Sequence, residues 1–284
     1  MKISVAICTY NGEKFIEQQL QSILNQTLRV DEIVISDDNS DDKTIEILEQ
    51  YKFLYPDIIS INRNDLNVGT IRNFEIVISH TTGDFIFLSD QDDIWLPKKV
   101  ETTIKTFDNN SELILLFSNG ELITEAGEMI CDTLWNQWGF DESTKIKWNN
   151  NQFAFRELLR NNNKVTGATI AFKSELKKFI LPIRIPIDYW HDAWFALHSA
   201  GLNKLGYIDE CLIYYRIHPF QQVGILQQDR IVPQSNLVSQ FISFKIFKNE
   251  MVLKYPKQFS VNEFLCEYIY SIYLRVIFFF HKKK

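Results

Sequence analysis

Through its first 117 residues the chain alternates short, almost wholly apolar runs with segments whose apolar residues recur at helical spacing. Few folds accept that rhythm. Residues 3–8, 32–36, 58–62, 84–89 and 113–117 read as strands. Between them Phe15, Ile16, Leu20, Ile23 and Leu24 mark one helix, and Ile45 and Leu48 a second. Phe74, Val77 and Ile78 mark a third, and Val100, Ile104 and Phe107, opened by Pro97, a fourth. A strand that is apolar along its whole length has no solvent face, so such strands belong in a parallel sheet covered by helices on both sides. The predicted class is α/β: an open, doubly wound, mostly parallel, Rossmann-like sheet, which binds ligands at the carboxyl ends of its strands.

The second half is less regular. Residues 120–152 carry Asn, Trp and Lys without a period and read as a long insertion or loop. Residues 153–159 and 192–200 read as helices, 165–172 as a strand containing a glycine, and 204–215 as two short strands. From about Leu237 the chain reads as helical, aromatic and increasingly basic. The expected organisation is a domain over 1–235, with halves 1–119 and 120–235, followed by a helical extension over 236–284.

Composition narrows the function. With 45% hydrophobic and 23% charged residues over 284 positions, the chain can bury a sizeable core and is not disordered in character. A net charge of −6 argues against nucleic acid as a partner, because that binding needs a basic footprint. Cys8, Cys131, Cys211 and Cys266 form no CxxC pair, so they read as reduced thiols rather than zinc ligands or a disulfide framework. The apolar run at the start is too short for a signal peptide, and no stretch reaches the roughly 18 apolar residues of a spanning helix.

The polar residues cluster where such a sheet makes its crevice. Thr9, Tyr10 and Asn11 follow the first strand, Asp37 and Asp38 the second, and Asp90-Gln91-Asp92-Asp93 the fourth. Three carboxylates in four residues repel one another, and a hard divalent cation, Mn²⁺ or Mg²⁺, is a reason to keep them together. Such a cation takes few protein oxygens and completes its shell with water and phosphates. The plain alternative is a solvated turn before a helix. Asp38 can accept a pyrimidine N–H or ribose hydroxyls, or cap a helix; Asp41 or Asp42 can take that capping role. Tyr10 can stack on a base or be an ordinary loop residue. In Trp190-His191-Asp192, the aspartate can act as general base or as a helix cap. His218 is a candidate metal ligand or phosphate contact, and Arg216 can balance diphosphate charge.

Together these segments resemble the family 2 glycosyltransferases of the GT-A type. The resemblance rests on Val5-Ala6-Ile7-Cys8-Thr9-Tyr10-Asn11-Gly12, on Ser36-Asp37-Asp38-Asn39-Ser40, on Asn67-Val68-Gly69, and on the run from Gly83 to Asp93. Asp90-Gln91-Asp92-Asp93-Ile94-Trp95, His191-Asp192 and Tyr215-Arg216-Ile217-His218 are similar to the rhamnosyltransferase-like branch. The resemblance implies that Thr9, Tyr10 and Asp38 hold the nucleoside, that Asp90 and Asp92 serve diphosphate and metal, and that Asp192 is the catalytic base. The expected metal ligands are Asp92 and His218. Asn11, Asn67, Gly69, Gln91, Gly167, His191 and Arg216 complete the expected nucleotide-sugar set. Residues 1–119 become the nucleotide-binding half and 120–235 the acceptor-binding half.

The implied reaction moves rhamnose or another hexose, with inversion, from a dTDP- or UDP-sugar to a saccharide or lipid-linked acceptor in bacterial surface polysaccharide synthesis, such as capsule or O-antigen. Two departures stand out: His191 occupies a position where many members carry Glu, and the Gln-x-x-Arg-Trp motif of processive synthases is absent. A sugar nucleotidyltransferase and a non-catalytic sugar-binding module are the alternatives. The expected location is the cytoplasm, peripheral on the inner face of the membrane. The aromatic tail with its His281-Lys282-Lys283-Lys284 terminus is read either as a membrane-surface helix or as packing on the core or a second subunit.

Overall fold

The computed structural model describes residues 1–187, 189–219, 221, 237–260 and 263–265. Its strands are β1 (Ile3–Thr9), β2 (Glu32–Asp37), β3 (Ile59–Arg63), β4 (Phe85–Ser89), β5 (Ile94–Trp95), β6 (Leu115–Ile123), β7 (Met129–Thr133), β8 (Ala171–Lys173) and β9 (Leu205–Arg216). The helices are α1 (Ile16–Leu24), α2 (Thr44–Leu54), α3 (Thr70–His80), α4 (Lys99–Asn109), α5 (Leu134–Trp138), α6 (Glu142–Trp148), α7 (Asn151–Leu159), α8 (Lys177–Ile180), α9 (His191–Gly201) and α10 (Leu237–Lys254).

Among the described residues these strands form one sheet in the order β3-β2-β1-β4-β8-β6-β9-β5, with β7 paired to β6. β1, β2, β3 and β4 run parallel, and β6 runs parallel to β9. β8 lies antiparallel between β4 and β6. Val5, Ala6, Ile7, Ile33, Ile35, Ile86, Phe87 and Leu88 are fully buried, as strands covered on both faces must be. The chain steps outward from β1 to β2 to β3, then returns to place β4 on the other side of β1. That reversal opens a crevice at the carboxyl ends of β1 and β4.

The second half departs from the sequence reading. Residues 120–152 are not a loop: they hold the end of β6, a hairpin to β7, and the helices α5 and α6. Phe117, Trp135, Phe140 and Trp148 pack edge to face around one another, with Tyr207 from β9. These anchors come from five separate places and cannot produce a period. The caps were the available signal: Thr133, Asp141 and Asn150 each accept a backbone N–H at the start of α5, α6 and α7. Gly167–Thr169 forms a 3₁₀ turn, leaving only Ala171–Lys173 as strand. The two short strands expected over 204–215 are one strand, β9, with register irregularities opposite Asn119.

The helix expected from Leu237 is α10, and Phe247, Met251, Val252 and Tyr255 on and just after it are buried. The Phe247 ring lies 4.9 Å from Tyr189 and 5.9 Å from Trp194. Tyr255 lies against Gly201, where an added Cβ would come within 2.7 Å of the ring. This part of the extension therefore packs on the core; the tail over 266–284 lies outside the described residues. No described helix is long and apolar enough to cross a membrane.

Candidate active site

The crevice holds a cavity of about 430 Å³. The β1 loop contributes Thr9, Tyr10 and Asn11, the β2 end Asp38, and the β4 end Asp90, Gln91 and Asp92. From the other half come Gly167, His191, Asp192 and His218. Asn67, Gly69 and Arg216 do not line it.

The first two loops are tied together by polar side chains. Thr9 Oγ1 donates to Asp37 Oδ1 at 2.8 Å, and Asp37 Oδ2 accepts the Ser40 N–H at 2.9 Å. Asn11, at φ 49°, donates its N–H to Ser40 Oγ and accepts the Asp41 N–H on its side chain. Asn tolerates this left-handed conformation better than most residues. Gln91 bridges to the β1 loop: Oε1 accepts the Tyr10 N–H at 2.8 Å, and Nε2 donates to the Tyr10 carbonyl at 3.0 Å. A Cβ on Gly12 would overlap the Gln91 side-chain amide, so glycine there is what lets Gln91 close onto Tyr10. Asp38 Oδ1 accepts from Asn64 Nδ2 and the Val68 N–H, and Oδ2 from the Gly69 N–H, all within 2.9 Å. It thus orders the Asn67-Val68-Gly69 turn, with Gly69 at φ 82°, that starts α3. Asp42, not Asp38, accepts the Thr44 N–H at the start of α2.

The acidic loop divides its labour. His218 Nε2 and Asp92 Oδ2 are 2.8 Å apart, and His218 Nδ1 has no partner among the described residues. Asp93 turns inward, is buried, and accepts the Arg216 N–H at 3.0 Å. Arg216, expected at the diphosphate, is used elsewhere. Its Nε donates to the Asp92 carbonyl at 2.8 Å, one terminal nitrogen to the Glu125 carbonyl and the other to Gln18 Oε1. Its guanidinium also sits 4.8 Å from the Phe15 ring centre. It braces the backbone of the acidic loop rather than facing the cavity.

Burial pushes the Asp90 carboxyl up to about 7, reinforced by the charges of Asp92 and Asp192 and opposed by Lys99. Lys99 is a buried cation that the sequence reading missed. Its Nζ donates to the Ala168 carbonyl at 2.6 Å and lies 4.1 Å from the Trp95 ring centre. Burial pushes it down to about 7, with Asp93 and Asp90 opposing. In sequence it is one more lysine at the start of a helix, and nothing local distinguishes it. Lys14 was also missed: it lines the cavity and pairs with Glu125.

Asp192 is not the helix cap: it occupies the second position of α9, two residues past the cap Trp190. Its Oδ1 accepts from Asn163 Nδ2 at 3.1 Å and from the Ala193 N–H at 2.6 Å. Burial pushes its carboxyl up to about 7, against the pull of these bonds and of the Gly167 N–H. A carboxylate with that value, facing a cavity, is suited to taking a proton near neutral pH. His191 stacks on Phe74 with ring centres 4.1 Å apart, and burial holds it down to about 3, hence neutral. A Cβ on Gly167 would lie 2.9 Å from His191 Nε2, so that glycine admits the ring. Among the described residues no group of three or more His, Cys, Asp or Glu is arranged to hold a metal ion.

A doubly wound sheet with a carboxylate-lined cavity at its switch point is the architecture of the GT-A fold. Residues 4–154 match the family Glycosyl transferase family 2. The dTDP-rhamnosyl transferase RfbG of Shigella flexneri is 38% identical over 77% of this chain and 73% of its own. The chain therefore belongs to glycosyl transferase family 2. By structure it is similar to S. aureus TarS 1–349 in complex with UDP-GlcNAc, with TM-score 0.63 and 18% identity over 89% of this chain and 67% of that one. It is also similar to the mannosyltransferase PcManGT of Pyrobaculum calidifontis, solved with GDP-Man and Mn²⁺. There the TM-score is 0.53 and the identity 16%, over 91% and 65% of the two chains.

Proposed function

We propose that this glycosyltransferase moves a hexose, with inversion, from a nucleoside diphosphate to an acceptor hydroxyl in bacterial surface polysaccharide synthesis. The observation that carries the reading is Asp192: a carboxylate at about 7, in the same cavity as the nucleotide-side residues Thr9, Tyr10 and Asp38 and the acidic pair Asp90 and Asp92. Asp192 takes the acceptor proton as the hydroxyl attacks the anomeric carbon, and the nucleoside diphosphate leaves from the opposite face. Fixed positioning and preorganised charge supply most of the acceleration. The 38% identity to a dTDP-rhamnosyl transferase supports a dTDP-sugar, with a UDP-sugar second, and a saccharide or lipid-linked acceptor.

Asp92 Oδ2 and His218 Nε2, 2.8 Å apart with His218 Nδ1 unpartnered among the described residues, are an oxygen–nitrogen pair fit for Mn²⁺, or for Mg²⁺ with more water and phosphate. Such an ion, when bound, neutralises charge on the departing diphosphate. Arg216 holds the Asp92 backbone in place for it. The reading also puts the protein in the cytoplasm, against the inner membrane face, where a lipid-linked acceptor would be within reach.

Calorimetry with dTDP and UDP, with and without Mn²⁺, tests the core of the reading. Binding should strengthen with Mn²⁺ in the wild type and lose that dependence in Asp92→Asn. No binding, or binding indifferent to both metal and substitution, refutes it.

A further inference from the structure

His191 is expensive to keep where it is. The residue is 6% exposed, and neither Nδ1 nor Nε2 has a hydrogen-bond partner among the described residues. An unpartnered buried polar group destabilises a fold, and an aromatic hydrocarbon of the same shape would not. Everything around the ring favours its shape. Phe74 stacks on one face at 4.1 Å, Phe195 meets it edge-on at 5.8 Å, and Gly167 leaves room at Nε2. A hydrocarbon ring would keep the stack and the edge contact, with the longer phenylalanine ring taken up on the Gly167 side. The nitrogens are what the packing does not explain.

The ring's position narrows the explanation. It is on the cavity wall, next to Asp192 in sequence and against Gly167. Its stacking partner Phe74 belongs to α3, whose start is ordered by Asp38 on the nucleoside wall. The ring thus lies between the nucleoside wall and the proposed base, the interval that the transferred sugar would span in the proposed reaction. A neutral imidazole offers one N–H donor and one bare acceptor, the pair that a sugar hydroxyl complements. Both nitrogens are closed off from the cavity, so the bond forms in the substrate complex, where the ring turns to present one of them.

We propose that His191 hydrogen-bonds a hydroxyl of the donor's sugar and so determines which nucleotide sugars are accepted. This rests on the transferase reading. It assigns His191 to the sugar rather than to the nucleotide, and makes it a specificity residue rather than a proton carrier.

The test compares dTDP with dTDP-rhamnose, and UDP with UDP-glucose, by calorimetry on the full chain with Mn²⁺ present. The variants are His191→Phe, which keeps the stack, and His191→Asn, which keeps a donor and an acceptor. In His191→Phe the affinity for the nucleotide sugar should fall about five- to thirtyfold, the worth of a hydrogen bond, with the bare nucleotide unchanged. The melting temperature should hold or rise, since no intramolecular bond is lost. His191→Asn should recover part of the preference for the sugar form. An equal loss for nucleotide and nucleotide sugar, or no loss for either, overturns the assignment, and so does a sugar-form preference intact in both variants. A wild type that binds neither nucleotide overturns the transferase reading itself, and this inference with it.

Discussion

Replacing Asp192 with Asn should change stability and rate with opposite signs. In an unfolded chain an aspartate titrates near 3.9. In the fold burial raises Asp192 to about 7. The folded state therefore holds the proton more tightly, and stability falls as pH rises from about 4 to about 7. At about 1.36 kcal/mol per pH unit, a shift of roughly three units makes the ionised form cost up to about 4 kcal/mol above pH 7. Asp192 is only partly buried and lines the cavity, so about half of that ceiling is expected. Asparagine never carries the charge. Its oxygen keeps the bonds from Asn163 and the Ala193 N–H, and its NH₂ faces the Gly167 N–H, losing about 1 kcal/mol. Between pH 5 and pH 8 the variant should thus gain about 1–2 kcal/mol relative to wild type, also relieving the repulsion on Asp90. Urea unfolding of both proteins at the two pH values measures this. Over the same range kcat/KM of the wild type should rise through about pH 7 and level off, as a base loses its proton. The variant should be slower by about 10²–10⁴-fold and lack that limb. Parallel pH–stability curves for the two proteins would refute the desolvation argument. A rate limb that survives in the variant would refute the assignment of the base.

Other perturbations test the scaffold. Gly12→Ala should drive Gln91 off Tyr10, costing about 1–3 kcal/mol in urea unfolding, and Gln91→Ala in the same chain should recover part of the loss by removing the clash. Arg216→Lys should destabilise by about 2–3 kcal/mol, because an ammonium cannot reach the Asp92 and Glu125 carbonyls and Gln18 at once; circular-dichroism melts measure it. Tyr255→Ala should cost about 3–5 kcal/mol by opening a cavity against Gly201 and His198, with nucleotide affinity unchanged in calorimetry.

Much of this protein is legible along the chain. Strands such as Val5-Ala6-Ile7 and Phe87-Leu88 are apolar throughout because both faces of the sheet are covered, so their period and their length announce them. Loop placement follows, because the acids and amides after β1, β2 and β4 have one shared edge to gather on. Residues 120–152 were illegible for the opposite reason. Their order comes from an aromatic knot in which Phe117, Trp135, Phe140, Trp148 and Tyr207 meet across separate segments. The same limit applies to the roles of single side chains. Composition and spacing place Arg216, Gln91 and Lys99 near the acidic loop or say nothing of them. Only the packed chain turns the Arg216 guanidinium to backbone carbonyls, closes Gln91 onto Tyr10, and buries Lys99 behind Asp90. Hydrophobic periodicity is a local property and survives in one dimension. Burial and the partner of a charge are set by contacts between residues far apart in the chain. Sequence alone therefore determined the parallel half of the sheet, its ligand-binding edge and the residues eligible for chemistry, and the tertiary structure decided the second half of the sheet, which of those residues face the cavity and which hold it together.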